Sequence, residues 1–260
     1  MKNRINALFE AKKKDILSVF YTAGYPTLDS ITEIAVSLSA SGVDIIEIGI
    51  PYSDPVADGP TIQESNKVAL DNGVNLKMII EKVKKIREHV SIPIILMGYV
   101  NPVMQYGIEK FAPDIAASGV DGVILPDLPM DAYLSEYKAQ FDAANVRNTF
   151  LISPTTSEER IRKIDEVTDG FIYAVAASSI TGAKGGFSRD QLAYFERLQS
   201  LKLKNPYLIG FGISNHETFS AACNYGAGAI VGSAFITMLK QSVNLKDDIS
   251  TFVTSLRNND

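Results

Sequence analysis

The chain has 260 residues, a hydrophobic content of 46% and a formal net charge of −5, so it can bury a sizeable core in one large domain or two ordinary ones. Its acidic and basic residues are mixed along the sequence, which argues against a basic nucleic-acid-binding surface. A single cysteine excludes a disulfide within the chain and a cysteine metal cluster, and only two histidines argue against a zinc site.

Short apolar runs recur along the chain, and each is followed by a polar turn and a helix-length amphipathic stretch. The runs are rich in Ile, Val and aromatic residues and lack polar alternation, which is typical of parallel strands buried on both faces. The predicted strands lie at 16–20, 45–48, 92–97, 122–125, 149–152, 171–175, 207–211 and 229–231. The predicted helices lie at 27–41, 75–89, 109–118, 130–145, 157–167, 188–203, 215–225 and 245–256.

This alternation predicts βαβ units with right-handed crossovers. Eight units in about 250 residues is the size of a closed barrel. We therefore predict an α/β fold, a single eight-stranded parallel β/α (TIM) barrel over residues 1–260, with an extra N-terminal helix and a short helix at 234–239 after the eighth strand. An open doubly wound sheet is the alternative. Since no segment resembles a signal peptide or approaches ~18 uncharged apolar residues, we expect a cytoplasmic protein.

Glu47 interrupts the otherwise apolar second strand. Burying a carboxylate without a partner is costly or raises its pKa, and a raised pKa suits a group that gives and takes protons near neutral pH. The structural alternative is an ion pair with an arginine at the end of the barrel, or capping by backbone donors. Because barrel enzymes place their active sites at the C-terminal ends of the strands, we favour a catalytic role.

The loop after this strand, at 51–60, contains Asp54 and Asp58 among several prolines and glycines. Proline and glycine restrict the backbone and can direct a carboxylate into the mouth of a barrel, although aspartate is also common in turns and helix caps. We interpret Asp54 as a turn or interface residue. Asp58 is a candidate for the site, since one loop places it near the end of the strand that carries Glu47.

Two glycine turns in the last third of the chain predict a phosphate site. Gly212 follows the seventh strand, and Gly232 and Ser233 follow the eighth and open the apolar helix at 234–239. Glycine N–H groups and a helix N-terminus bind anions, and barrels often hold a phosphate at these two loops. Ordinary tight turns are the alternative, but the two positions together favour a phosphate.

The glycine-rich segment at 178–187 has the composition of a mobile lid or of a disordered connector. Lys184 within it is interpreted as a surface lysine, because a flexible loop neither desolvates nor fixes an amine. Tyr173, on the sixth strand, is by itself more typical of a core residue than of a catalytic one. Cys223 lies on a predicted helix and is expected to be a small buried residue.

Taken in order, these motifs resemble the tryptophan synthase alpha chain family. The segment 46–60, IEIGIPYSDPVADGP, resembles the family's most diagnostic segment almost residue for residue. The other matching motifs lie at 22–26, 121–123, 126–129, 210–214 and 231–234. The resemblance covers essentially the whole chain. It implies a lyase of tryptophan biosynthesis that splits indole-3-glycerol phosphate into indole and glyceraldehyde 3-phosphate.

The resemblance also implies roles for individual residues. Glu47 is the general acid and base, Asp58 hydrogen-bonds the indole N–H, and Tyr173 helps position the reacting group. Residues that match the apolar substrate wall are Phe20, Met97, Ile124, Ile152 and Phe211. Residues that match the phosphate cradle are Gly182, Gly212, Gly232 and Ser233, and Thr181 matches the lid residue that meets the acid pair. Ser179 and Ala177 depart from residues found in other members, which bears on how the lid closes.

The resemblance implies no cofactor and no metal in this chain. The implied partner is a β subunit that carries pyridoxal phosphate and takes the released indole, in an α2β2 assembly. The loops at 52–60, 101–107 and 127–131 resemble the contact surface.

Three other functions stay open. Another phosphate-binding barrel, such as a sugar-phosphate isomerase or an indole-glycerol-phosphate synthase, is one; the synthase would need a strand lysine, which no predicted strand core has. A stand-alone lyase that releases free indole is the second. A catalytically silent subunit that activates its partner is the third, and the presence of both Glu47 and Asp58 argues against it.

Overall fold

The computed structural model describes residues 2–176 and 187–258. Within these residues nine strands form one sheet, and every neighbouring pair is parallel. The strands are β1 Ile16–Thr22, β2 Ile45–Gly49, β3 Ile94–Met97, β4 Gly122–Ile124, β5 Arg147–Thr149, β6 Leu151–Ile152, β7 Ile172–Val175, β8 Tyr207–Gly210 and β9 Gly228–Val231. Their order in the sheet is β5-β4-β3-β2-β1-β9-β8-β7-β6. The two ends of this order, β5 and β6, are therefore consecutive in the chain.

The fifth predicted strand is divided at Phe150, which explains why nine strands replace the predicted eight. Before this residue β5 pairs with β4, and after it β6 pairs with β7. The N–H of Tyr173 donates to the carbonyl oxygen of Phe150 itself at 2.9 Å. One stretch of chain thus joins both ends of the sheet and closes the ring. The predicted parallel β/α barrel is confirmed, and the open-sheet alternative is wrong.

The helices surround this barrel. They are α1 Arg4–Ala11, α2 Ser30–Ala40, α3 Pro60–Asp71, α4 Leu76–Ile86, α5 Val100–Tyr106, α6 Ile108–Ser118, α7 Met130–Ala132, α8 Lys138–Ala143, α9 Glu158–Val167, α10 Arg189–Ser200, α11 His216–Tyr225, α12 Ser233–Gln241 and α13 Leu245–Arg257. The predicted N-terminal helix is α1, and the predicted short helix after the last strand is α12. None of the helices within 2–176 and 187–258 combines the length and apolar character that a bilayer span requires.

Two helices, α3 and α5, lie where the sequence predicted loops, after β2 and β3. The signal for α3 was Pro60, which occupies the first turn of the helix, where its missing N–H is not needed and its fixed φ favours the start. The predicted helix at 130–145 is divided into α7 and α8 by a π-helical turn at Tyr133–Tyr137. The two additional helices lengthen the loops at the C-terminal end of the barrel.

The interior of the barrel is filled by side chains from alternate strand positions, as period-two alternation requires. This cluster includes Ile16, Ile45, Ile95, Ile124, Tyr173, Leu208 and Ile230. Ile5 and Phe9 of α1 belong to the same cluster, and the rings of Phe9 and Phe171 lie 5.5 Å apart. Since Phe171 immediately precedes β7, α1 covers the N-terminal end of the barrel. An active site is therefore expected at the opposite, C-terminal end of the barrel.

Candidate active site

Glu47 lies on the inward face of β2 and is fully buried. Its Oε1 accepts a hydrogen bond of 2.6 Å from the Ser18 hydroxyl, while its Oε2 has no hydrogen-bond partner among the described residues. Burial raises the pKa of Glu47 to about 7, and the bond from Ser18 opposes this shift. The group that contacts Glu47 is a neutral hydroxyl rather than the arginine of the structural alternative. Such a carboxyl can both donate and accept a proton near neutral pH.

Asp58 lies in the loop after β2, where its N–H donates to the Pro55 carbonyl at 3.0 Å. The Tyr99 hydroxyl donates to Asp58 Oδ2 at 3.1 Å and accepts from the Ala57 N–H at 3.1 Å. Burial raises the pKa of Asp58, and the bond from Tyr99 opposes this shift. A tight turn and one tyrosine from the next βα loop therefore fix the direction of this carboxylate.

Tyr173 lies on β7 and is 4% exposed. Burial, and then the negative charges of Glu47 and Asp58, raise the pKa of Tyr173 well above its ordinary value of 10.0. The phenol therefore stays neutral and can donate a hydrogen bond. Its ring lies over Gly210 on the neighbouring strand, since a Cβ at Gly210 would be 2.3 Å from the Tyr173 oxygen. The barrel thus brings these two carboxyl groups and one phenol to the same end.

A cavity opens at this end of the barrel, and of these three groups Asp58 lines it. Its walls are formed by Phe20, Gly49, Ile50, Ala57, Asp58, Ile62, Asn66, Met97, Gly98, Tyr99, Pro126, Leu151 and Phe211. Phe20, Met97 and Phe211 of the predicted substrate wall line it directly.

The two remaining wall candidates lie elsewhere. Ile124 packs in the barrel interior with Tyr173, and Ile152 packs in the outer core between strands and helices. Leu151, not Ile152, faces the cavity. Tyr99 and Asn66 also line it and were missed by sequence reasoning. Tyr99 could have been found because it lies two residues after the end of β3, where barrel enzymes place functional groups.

The two predicted phosphate loops lie side by side, because β8 and β9 are neighbours. Phe211 and Gly212 both adopt positive φ, of 70° and 80°, which turns the chain sharply after β8. Gly232 precedes α12, and Ser233 is its first residue, so the unpaired N–H groups of this helix begin here. A Cβ at Gly232 would meet only Phe20, at 3.8 Å, and one at Gly212 would meet nothing within 4 Å. Thr181 and Gly182, with the other residues at 177–186 of the predicted lid, lie outside the described residues.

A second cavity lies around the start of β5, near the N-terminal end of the barrel. Its charged side chains already pair with one another, Lys138 with Asp142 and Arg147 with Asp169. In the described part of the chain, no group of three His, Cys, Asp or Glu side chains is arranged to hold a metal ion. The chemistry that the geometry supports is proton transfer by Glu47 at the C-terminal end of the barrel.

Comparison with known proteins places this chain in a family. A family model described as tryptophan synthase alpha chain matches residues 7–259. The tryptophan synthase alpha chain of Flavobacterium psychrophilum is 51% identical over 98% of this chain and 99% of its own length, and that of Flavobacterium johnsoniae is 51% identical over 98% and 100%. Among solved structures, the tryptophan synthase alpha subunit of Legionella pneumophila has a TM-score of 0.89 and 30% identity, over 99% of this chain and 98% of that one. With nearly its full length matched at this identity, the chain belongs to the tryptophan synthase alpha chain family.

Proposed function

We propose that Glu47, Asp58 and Tyr173 carry out the reaction of this family in the cavity described above. The reaction itself follows from family membership: the chain is a lyase that cleaves indole-3-glycerol phosphate into indole and glyceraldehyde 3-phosphate. The single observation that supports our assignment of residues is the fully buried Glu47, with a pKa near neutrality and one oxygen free.

The proposed mechanism is a retro-aldol cleavage in which Glu47 moves two protons. Glu47 gives its proton to indole C3, and the positive charge that develops on the ring is stabilised by the Asp58 carboxylate at the indole N–H. The side-chain hydroxyl then loses its proton to Glu47, the bond from C3 to the side-chain carbon breaks, and its electrons return to the ring. The side-chain carbon becomes the aldehyde. Because one proton leaves Glu47 and one returns, the enzyme ends as it began.

Tyr173 and the apolar wall orient the substrate in this mechanism. The neutral phenol of Tyr173 donates a hydrogen bond to the oxygen that becomes the aldehyde, and Phe20, Met97 and Phe211 pack around the indole. The N–H groups at Gly212, Gly232 and Ser233 bind the phosphate through hydrogen bonds and the dipole of α12. Ile124, Thr181 and Gly182 remain predicted substrate contacts, whereas Ile152 packs in the outer core and Leu151 takes its place at the cavity wall.

Proton transfers promote the bond cleavage in this mechanism, so we propose that this chain needs no cofactor of its own. As an alpha chain it implies a β partner, and we propose that this partner carries pyridoxal phosphate, receives the indole and forms an α2β2 complex. We further propose that residues 1–260 form one domain and that the protein works in the cytoplasm.

Three loops at the mouth of the barrel support a docking surface for the β subunit. The Asn101 side chain donates to the Tyr52 hydroxyl at 3.2 Å, and the Val100 N–H donates to Asp127 at 2.9 Å. These bonds tie the loops at 52–60, 101–107 and 127–131 into one surface. On it Val56 is 87% exposed and Met104 is 61% exposed, which suits a surface that a partner covers.

The experiment is to measure indole release from indole-3-glycerol phosphate by the purified chain, with and without a β subunit. We expect slow release alone and strong acceleration by the partner. Fast release without a partner would indicate a stand-alone lyase, and no release in either case would indicate a silent subunit or another substrate.

Glu47→Gln should lower release by at least about 100-fold, whereas Glu88→Gln, at an exposed position, serves as the control. Near-normal release by the Glu47 variant would overturn the role of Glu47.

A further inference from the structure

Ser18 is a buried polar residue in an apolar strand. Strand β1 reads ILSVFYT, all seven residues are buried, and Ser18 lies on the same face as Phe20, two residues further along. β1 and β2 are parallel neighbours in a register that pairs Ser18 with Ile45 and Phe20 with Glu47. The side chain of Glu47 therefore lies diagonally across from Ser18, on the inner face of the barrel.

The contact between these side chains makes the two oxygens of Glu47 different. Oε1 is occupied by the Ser18 hydroxyl at 2.6 Å, and Oε2 is without a partner in the described ranges. Another buried hydroxyl of β1, that of Thr22, does not contact Glu47, because it is hydrogen-bonded to the hydroxyl of Ser65 in α3 at 2.7 Å. Ser18 is thus the residue of β1 that holds the carboxyl group.

We propose that Ser18 is a positioning residue for Glu47, whose hydroxyl holds Oε1 so that Oε2 is the oxygen that exchanges the proton with the substrate. This inference rests on the proposed role of Glu47 as acid and base. A carboxyl that rotates freely would present either oxygen to the substrate and would lose the proton-transfer geometry for part of the time. A bond to one oxygen fixes the plane of the carboxyl group before the substrate arrives.

The same bond has an electrostatic effect that a merely structural contact lacks. A donated hydrogen bond stabilises the ionised carboxyl, so it offsets part of the rise in the pKa of Glu47 that burial causes. Removing the hydroxyl should raise this pKa further. Since a hydrogen bond to a charged group contributes more than one to a neutral group, the expected change is an upward shift of about one pH unit.

The test compares Ser18→Ala with Ser65→Ala, since each variant removes one buried hydroxyl and only the first touches Glu47. The protonated carboxyl of Glu47 is followed by difference infrared spectroscopy, and its band is identified by its loss in Glu47→Gln. We expect the titration midpoint to rise by about one pH unit in Ser18→Ala alone. We also expect kcat for indole release to fall by about tenfold in this variant, and the matching limb of its pH profile to move with the midpoint.

Two outcomes of the titration would overturn the inference. One is an unchanged midpoint in Ser18→Ala, and the other is an equal shift in Ser65→Ala. Both are distinct from failure of the proposed function, which would appear as normal turnover by Glu47→Gln. A shifted midpoint with an unchanged kcat would also overturn the positioning role, because Ser18 would then change the pKa of Glu47 without affecting the rate of the reaction.

Discussion

The hydroxyl of Tyr99 donates to Asp58 Oδ2 at 3.1 Å, so a residue after the third strand of the barrel controls a carboxylate after the second. The same oxygen accepts from the Ala57 N–H, and the ring of Tyr99 packs 5.1 Å from that of Tyr52. Asp58 is therefore held through Tyr99 rather than by its own loop alone. This arrangement joins the indole end of the proposed site to the loops proposed to contact the β subunit.

Tyr99→Phe should weaken catalysis by affecting Asp58. In this variant no hydrogen bond from residue 99 opposes the effect of burial, so the pKa of Asp58 rises further. The carboxylate is then protonated at a higher pH than in the parent. The loss of a hydrogen bond to a charged group predicts a decrease of about tenfold in kcat/KM for indole release. The activity lost should be greatest at acidic pH.

Tyr207→Phe, which removes a phenol bonded to the Tyr225 carbonyl outside the site, is the control. Equal activity of the two variants would contradict the role of Tyr99.

Glu47 should make the parent chain less stable as the pH rises. Folding raises its pKa from 4.5 to about 7 through burial, so between these values the folded chain binds more protons than the unfolded chain. The free energy of unfolding therefore falls as the pH increases through this window. At ~1.36 kcal/mol per pKa unit, the full effect is about 3 kcal/mol.

Glu47→Gln cannot ionise and should lose this dependence. Its stability relative to the parent should therefore increase by about 3 kcal/mol between about pH 4 and about pH 8. Urea unfolding across this pH range measures the difference, with the exposed Glu88→Gln as the reference. A difference that stays constant with pH would show that Glu47 is not buried as described.

Asp121 is a structural carboxylate at the opposite end of the barrel, directly before β4. Arg87 and Arg4 both donate to it, Arg4 at 2.9 Å, and the Ile94 N–H donates to it at 2.9 Å. Its side chain is 4% exposed and that of Arg87 is 11% exposed. Removing this charge leaves a buried guanidinium without its counter-ion, which is strongly destabilising.

Asp121→Asn should thus lower the free energy of unfolding by about 3 kcal/mol and leave kcat/KM nearly unchanged at temperatures where the variant is folded. Chemical denaturation and the indole assay measure the two quantities. Asp71→Asn, which breaks the exposed pair of Asp71 with Lys67, should change stability little. A large loss of activity in folded Asp121→Asn would mean that this end of the barrel takes part in the reaction.

The positions of the strands could be predicted from the sequence because parallel strands buried on both faces form continuous apolar runs. Glu47 could be singled out for the same reason, since it is the acidic residue within such a run. The break at Phe150 could not be predicted, because it arises where one segment changes its pairing partner from β4 to β7. This break also decides that Leu151, and not Ile152, faces the cavity.

Contacts between strands and between loops could not be predicted from the sequence either. The bond from Ser18 to Glu47 joins residues 29 positions apart and depends on the register of β1 against β2. The bond from Tyr99 to Asp58 depends on the paths of two loops, and one of them leads into a helix, α3, that was not predicted. Residue types at strand ends could thus be proposed as functional from the sequence. The groups that hold them in place could be identified only from the three-dimensional structure.

Gly232 should be needed for binding the phosphate rather than for the chemical step. It caps α12, and an added Cβ would meet only Phe20 at 3.8 Å, an ordinary contact, so the fold has room for a side chain. A branched side chain would instead occupy the space in front of the first N–H groups of the helix. Gly232→Val should raise KM for indole-3-glycerol phosphate by about tenfold or more, with a smaller change in kcat, because a hydrogen bond to a charged group is lost in the ground state and the transition state alike.

Inorganic phosphate, used as a competitive inhibitor, supplies an independent measurement of this site. Its inhibition constant should rise in Gly232→Val together with KM, and Gly232→Ala should give a smaller rise in both. Asp58→Asn should lower kcat while leaving inhibition by phosphate unchanged, since Asp58 lies at the indole end. If Gly232→Val lowered kcat and left phosphate inhibition intact, the glycine would act on the reacting groups, and the phosphate would have to bind elsewhere.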